Sequence, residues 1–152
     1  MKWRTEVARR AAILLVEDDP ADQELARRAL TGDVLDTDLR IVSDGSEAMD
    51  YLYRQGSYAD PASSPRPDLI LLDLNMPRMD GRQVLARVRH DPDLRRIPVV
   101  VLTTSSDEDD VSRSYDLGCN SYITKPLEMD GFHDCMRGLG AYWFRLAKLP
   151  SG

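Results

Sequence analysis

Four apolar runs in this chain each end in residues suited to phosphate chemistry. Ala12-Ile-Leu-Leu-Val16 leads into Glu17 and Asp18, and Leu69-Ile-Leu-Leu72 into Asp73. Pro98-Val-Val-Val-Leu102 leads into Thr103, and Ser121-Tyr-Ile-Thr124 into Lys125. In a parallel sheet the carboxyl ends of neighbouring strands share one edge and one crevice, where ligands bind in open α/β folds. Three carboxylates, a hydroxyl and an ammonium would then meet at one point. Carboxylates at contact distance raise one another's pKa, so Glu17, Asp18 and Asp73 call for a compensating cation. Oxygen-only ligands suit Mg²⁺, with Mn²⁺ as a substitute, and the absence of a nearby His or Cys argues against zinc. With the cation held by Asp18 and supported by Glu17, an Asp73 oxygen can attack a phosphoryl group in line and form an aspartyl phosphate. Thr103 and Lys125 would position and neutralise the equatorial oxygens. Taken singly, each residue could be a cap, a turn residue or a solvated charge. Their joint placement at successive strand ends favours the chemistry.

The elements that must position them follow a β-α alternation, the pattern of a parallel sheet with crossover helices. The first strand, Ala12 to Val16, leads into a helix with Asp19 as N-cap and Pro20 in its first turn, and Gly32 is expected to stop it. Leu39 to Val42 forms a short second strand, and Ser46 opens a helix whose apolar face is Met49, Leu52 and Tyr53. Gln55 to Pro67, rich in Gly, Ser and Pro, is expected to be a solvated surface loop. Leu69 to Leu72 is apolar without alternation, so both its faces should be covered and the strand should be central. Asp80 caps a helix with Val84, Leu85 and Val88 inward. Ser106 or Asp107 begins a fourth helix that Gly118 closes, and a last helix runs from about Glu128 to Lys148. Phe132, Met136, Leu139, Trp143 and Leu146 are spaced four, three, four and three residues apart, the spacing of a two-helix seam. Phe132 and Met136 are assigned to the sheet. Leu139, Trp143 and Leu146 are assigned to an interface with a second copy, a homodimer being the simplest form.

Composition narrows the function classes. The 152 residues form one domain, with 26 acidic against 20 basic side chains and a net charge of -6. No Lys/Arg stripe follows a phosphate backbone, so no nucleic-acid partner is expected. No run approaches bilayer-spanning length, and the charges within residues 1–10 do not fit a signal peptide, so neither a membrane nor export is expected, and a cytoplasmic location is. Cys119 and Cys135 have no metal-ligand spacing and read as small apolar residues. The expected organisation is an N-terminal arm over 1–10, one domain over 11–148 and a tail over 149–152.

Leu14-Leu-Val-Glu-Asp-Asp19, Asp73-Leu-Asn-Met-Pro77 with Met79-Asp80-Gly81, Pro98-Val-Val-Val-Leu-Thr-Thr104 and Tyr122-Ile-Thr-Lys-Pro126 together resemble the receiver domain of bacterial response regulators. The resemblance implies a CheY-like, flavodoxin-like α/β fold, a doubly wound five-stranded parallel sheet in the order 2-1-3-4-5. It implies that Asp73 accepts phosphate from a sensor histidine kinase, with Glu17, Asp18, Asp73 and the Asn75 backbone carbonyl around Mg²⁺. Thr103 and Tyr122 would be the switch pair, the ring turning inward as the hydroxyl moves toward the phosphoryl group. Asn75 and Ser105 would tune acyl-phosphate lifetime, and Lys125-Pro126 is similar to the family's usual cis peptide. No separate enzymatic activity is implied beyond self-catalysed phosphotransfer and autodephosphorylation. No output module is expected after the receiver, so the signal would pass to a downstream protein or a phosphotransfer protein.

The Gln55 to Pro67 insertion, Asp91-Pro-Asp-Leu-Arg-Arg-Ile-Pro98, Ser114-Tyr-Asp-Leu117 and Tyr142-Trp-Phe144 resemble single-domain regulators paired with bacterial phytochromes. That likeness implies a bacteriophytochrome as the kinase. The rival readings are a Mg²⁺-dependent aspartyl-phosphate phosphatase, which would look for an Asp where Asn75 stands, and an unphosphorylated receiver-like scaffold.

Overall fold

The computed structural model describes residues 10–31 and 37–146, with the side chains of residues 145 and 146 outside the description. Five parallel strands, β1 (Ala11–Val16), β2 (Thr37–Val42), β3 (Leu69–Leu72), β4 (Val99–Thr103) and β5 (Ser121–Thr124), lie in the order β2-β1-β3-β4-β5. The helices are α1 (Pro20–Leu30), α2 (Gly45–Tyr53), α3 (Gly81–His90), α4 (Glu108–Asp116) and α5 (Met129–Ala141). The central β3 is buried along its whole length, as a strand covered on both faces must be. On one face, Ile13, Leu15, Leu69, Leu71, Val100 and Leu102 meet α1 and α5. On the other, Leu14, Val16, Ile70, Leu72, Val99 and Val101 meet α2, α3 and the Leu117 end of α4.

Register turns this layering into a site. Val16 stands opposite both Val42 and Leu72, and Leu72 opposite Val101. The residues that follow, Glu17 and Asp73, are therefore side by side at the carboxyl edge. Thr103 stands opposite Thr124, which brings Lys125 to the same edge.

Helix starts follow the sequence signals closely. The Asp19 carboxylate accepts from the Ala21 and Asp22 N–H groups ahead of Pro20. Asp80 and Gln83 form a reciprocal capping box on α3, and Asp107 caps α4. Gly32, the expected stop of α1, lies outside the described residues.

Three expectations need correction. In α2 the inward aromatic is Tyr51, whose hydroxyl donates to the Pro65 carbonyl at 2.8 Å, whereas Tyr53 is exposed. The segment from Gln55 to Pro67 is not a bare solvated loop. It folds into two 3₁₀ turns, Gly56–Tyr58 and Pro61–Ser63, with Ser64 buried and Tyr58 packed on the core and edge-on to Tyr51 at 5.1 Å. Periodicity misses this because the anchors are single residues on a long connection.

The last helix is also not one continuous rod. α5 ends at Ala141 and continues as a π-helical segment, Tyr142–Leu146. Gly138 and Gly140 lower helical propensity just before the change, and the wider turn lets Trp143 and Phe144 both face the core while Tyr142 stays exposed. Leu139 is only 6% exposed and belongs to the core, so within one chain it covers the sheet, not a partner. The Leu146 side chain and residues 147–152 lie outside the description.

Candidate functional site

Glu17, Asp18 and Asp73 each offer a carboxylate oxygen within 4.8 Å of the others, an arrangement able to hold a metal ion. Glu17 and Asp73 are buried and Asp18 is exposed. The Glu17 carboxylate is already engaged, accepting from the Lys125 ammonium on one oxygen and from the Asp19 N–H at 3.1 Å on the other. Asp73 is held only by longer contacts, from the Asn75 N–H at 3.3 Å and Lys125 at 3.5 Å, so Asp18 and Asp73 are the pair better placed to face a cation. Burial pushes the Glu17 carboxyl up to about 7 despite the opposing pull of Lys125. Such a buried acid gains from added positive charge, and the hard oxygen donors fit Mg²⁺ or Mn²⁺.

Lys125 is buried, which opposes its charge, but the Glu17 and Asp22 carboxylates and the nearby Asp73 outweigh burial and raise its pKa. Its ammonium also donates to Asp22 at 2.9 Å and reaches Asp73 at 3.5 Å. The Lys125 backbone N–H bonds to the Thr103 carbonyl at 2.7 Å, which fixes where the side chain departs. No cis peptide bond occurs among the described residues, so the expected cis Lys125-Pro126 is not found and the bond is trans.

Thr103 is fully buried, and its hydroxyl has no hydrogen-bond partner among the described residues. An unpaired buried hydroxyl costs about 1–3 kcal/mol, and this one lies at the rim of the site. Tyr122 is half-buried against the core, with its hydroxyl donating to the Ser105 carbonyl at 2.8 Å, and burial raises its pKa. The ring is thus already turned inward. Ser105 donates its own hydroxyl to Asp110 at 2.6 Å, and the exposed Asn75 gives its N–H to Asp73 at 3.3 Å.

The loop after β3 is pressed onto this site by two glycines. A Cβ on Gly81 would collide with the Asp73 carbonyl, and one on Gly45 with the Met79 carbonyl. Between them, Arg78, in the left-handed region at φ 66°, pairs with the buried Asp44. Burial works to raise the Asp44 carboxyl, but hydrogen bonds from Arg78 and the Glu47 N–H outweigh it and hold it below its ordinary range.

Sequence reasoning missed Asp22, the Asp44–Arg78 pair and the Arg82–Asp110 pair. Asp22 reads as a first-turn charge on α1, and only the rotation of that helix reveals that it faces Lys125. The two Asp-Gly steps, 44–45 and 80–81, were the available signal for the tight loop contacts.

Two buried carboxylates beside an exposed third, a lysine shared among carboxylates and a buried threonine, all at the carboxyl edge of a 2-1-3-4-5 sheet, form the arrangement of a phosphoryl-accepting signalling domain. The family model for the response regulator receiver domain matches residues 13–137, and the chain belongs to that family. Membership implies a histidine kinase as partner. Response regulator Rcp1 of Synechocystis sp. is 48% identical over 139 residues, covering 91% of this chain and 92% of the relative. The crystal structure of the phosphorylated cyanobacterial phytochrome response regulator RcpA superposes with a TM-score of 0.89 at 48% identity, covering 94% of this chain and all of that one. The Mn²⁺-bound form of Rcp1 gives 0.85 at 48% identity over 93% of this chain and 99% of that one. Among the described residues, no helix is long and apolar enough to cross a membrane.

Proposed function

We propose that Asp73 is the phosphoacceptor, that the donor is a phosphohistidine on a phytochrome-class sensor kinase, and that the phosphorylated chain signals by protein contact or phosphorelay. The observation that carries this reading is the convergence of Glu17, Asp18 and Asp73 with Lys125 and the unpartnered Thr103 hydroxyl. Asp18, Asp73 and the Asn75 carbonyl would hold Mg²⁺, which supplies positive charge to the transferring oxygens and lets acceptor and phosphoryl group approach.

The remaining work falls to the chain. An Asp73 carboxylate oxygen attacks phosphorus as the phosphorus–nitrogen bond to the donor histidine breaks, and the nitrogen keeps the electron pair. The Lys125 ammonium, 3.5 Å from Asp73, shifts its hydrogen bond to a phosphoryl oxygen. The Thr103 hydroxyl gains the acceptor it lacks. Asn75 and Ser105 flank the acyl phosphate and set its lifetime against water. The phytochrome assignment rests on the relatives named above, of which RcpA is described as a phytochrome response regulator.

Mixing the protein with an autophosphorylated phytochrome kinase under red and far-red light tests the reading. Transfer to the chain, with the yield changing between the two lights, is expected. Efficient transfer from unrelated kinases with none from any phytochrome would overturn the pairing while leaving the phosphoacceptor in place.

We also propose self-association through the C-terminal helical end, on the spacing of Trp143 and Leu146 and the exposure of Tyr142. Trp143→Ala combined with Leu146→Ala should lower the dimer fraction in sedimentation, and a monomer at high concentration in the unaltered protein would remove this proposal.

A further inference from the structure

Ser105 is held from two directions. Its backbone carbonyl accepts the Tyr122 hydroxyl at 2.8 Å, and its side chain donates to Asp110 Oδ2 at 2.6 Å. The other Asp110 oxygen takes the Arg82 guanidinium at 2.5 Å. Arg82 follows Gly81, whose backbone is pressed against the Asp73 carbonyl. A continuous path therefore runs from the Asp73 backbone through α3, across to α4 and down to the Tyr122 hydroxyl, and it does not pass through Thr103.

An exposed ion pair would carry little weight. This one is different in two respects. The Arg82 and Asp110 side chains are only 20% and 26% exposed, and Arg82 Nε is buried without a partner among the described residues. Hydrogen bonds from Ser105 and then Arg82 also hold the Asp110 carboxyl below its ordinary range. The Asp110 carboxylate is fixed in place by both donors, so losing Arg82 frees it to move away from Ser105.

We propose that Arg82 and Asp110 are positioning residues that hold Ser105 where its carbonyl accepts Tyr122, keeping the ring inward before any phosphoryl group arrives and strengthening phosphoryl binding at Asp73. The inference rests on Asp73 being the phosphoacceptor. Whatever favours the inward ring must favour the phosphorylated state if that state also favours the inward ring, because coupling between two sites is reciprocal.

The test uses the full chain with Mg²⁺ and beryllofluoride, a mimic of the aspartyl phosphate. Affinity is read by calorimetry, and the Tyr122 environment by fluorine NMR of 3-fluorotyrosine. Asp110→Ala and Arg82→Met should each weaken beryllofluoride binding by about fivefold and move the Tyr122 resonance toward a solvent-exposed position. In a Tyr122→Phe background, where the hydroxyl is gone, the same substitutions should change affinity by less than about twofold. Asp110→Asn, which keeps the shape and can still accept from Ser105, should lie between wild type and Asp110→Ala and guards against a misfolded variant.

Unchanged affinity in folded variants would overturn the inference. So would the same weakening in the Tyr122→Phe background, since that would make the network merely structural. If the unaltered protein itself ignores beryllofluoride, the phosphoacceptor reading fails first and takes this inference with it.

Discussion

Both edges of the sheet bury polar and charged groups, but they treat them differently. At the amino edge, Arg89 is held by the carbonyls of Gly118, Arg95 and Ile97 and by Asn120, at 2.6–3.0 Å. Asn120 in turn accepts from the Val99 N–H, Asp68 from the Ala12 N–H, and the Thr37 hydroxyl donates to the Leu30 carbonyl. At the carboxyl edge, three carboxylates compete for one ammonium, Glu17 is pushed up to about 7, and the Thr103 hydroxyl has no partner. Saturation marks a polar group that fastens the fold. At the carboxyl edge saturation is incomplete, and both edges belong to one sheet. Arg82 Nε on α3 and the Ser114 hydroxyl on α4 are also buried without a partner among the described residues, and nothing in the structure explains the second.

The largest expected effects separate the edges by their response to a cation. Lys125→Met leaves buried carboxylates facing one another and should lower unfolding free energy by about 3–5 kcal/mol in chelator. Mg²⁺ should restore part of that loss by supplying the missing charge. Arg89→Ala should cost about 2–3 kcal/mol through its lost hydrogen bonds, and Mg²⁺ should restore none of it. Denaturant titrations of both variants with and without Mg²⁺ decide the matter. Equal behaviour toward the ion would erase the distinction between the edges.

A smaller effect of opposite sign is expected at Thr103. Thr103→Val removes an unpaired buried hydroxyl at nearly constant shape and should raise stability by about 1 kcal/mol while weakening beryllofluoride binding. A stability loss larger than that would mean the hydroxyl has a structural partner, and the argument from unsatisfied groups would fail at its clearest example.

The two edges also differ in how far the sequence discloses them. Glu17, Asp18, Asp73, Thr103 and Lys125 were legible because each stands at or just past the end of a short predicted strand, and parallel register then places such positions together without further information. The sheet order came with the family resemblance those runs carry. Asp22, Asp44–Arg78 and Arg82–Asp110 were not legible, because their meeting depends on how a helix is rotated or a loop is routed. The Arg89 clasp escaped for the same reason, its partners lying 6 to 31 residues away. Tyr58 and Ser64 were hidden inside a stretch whose composition reads as solvated loop. The turn from α5 into the π segment was not legible, because it depends on the packing of Trp143 and Phe144 against the core.

The central claim is that the unsaturated carboxyl edge takes a divalent cation and lets Asp73 carry a phosphoryl group. Incubation with acetyl phosphate and Mg²⁺, reduction of the acyl phosphate with borohydride and peptide mapping by mass spectrometry tests it most directly. Modification at Asp73 alone, lost when the ion is chelated, is the predicted result. Modification at Asp18 or Asp44 in its place, or at Asp73 regardless of the ion, would contradict the account.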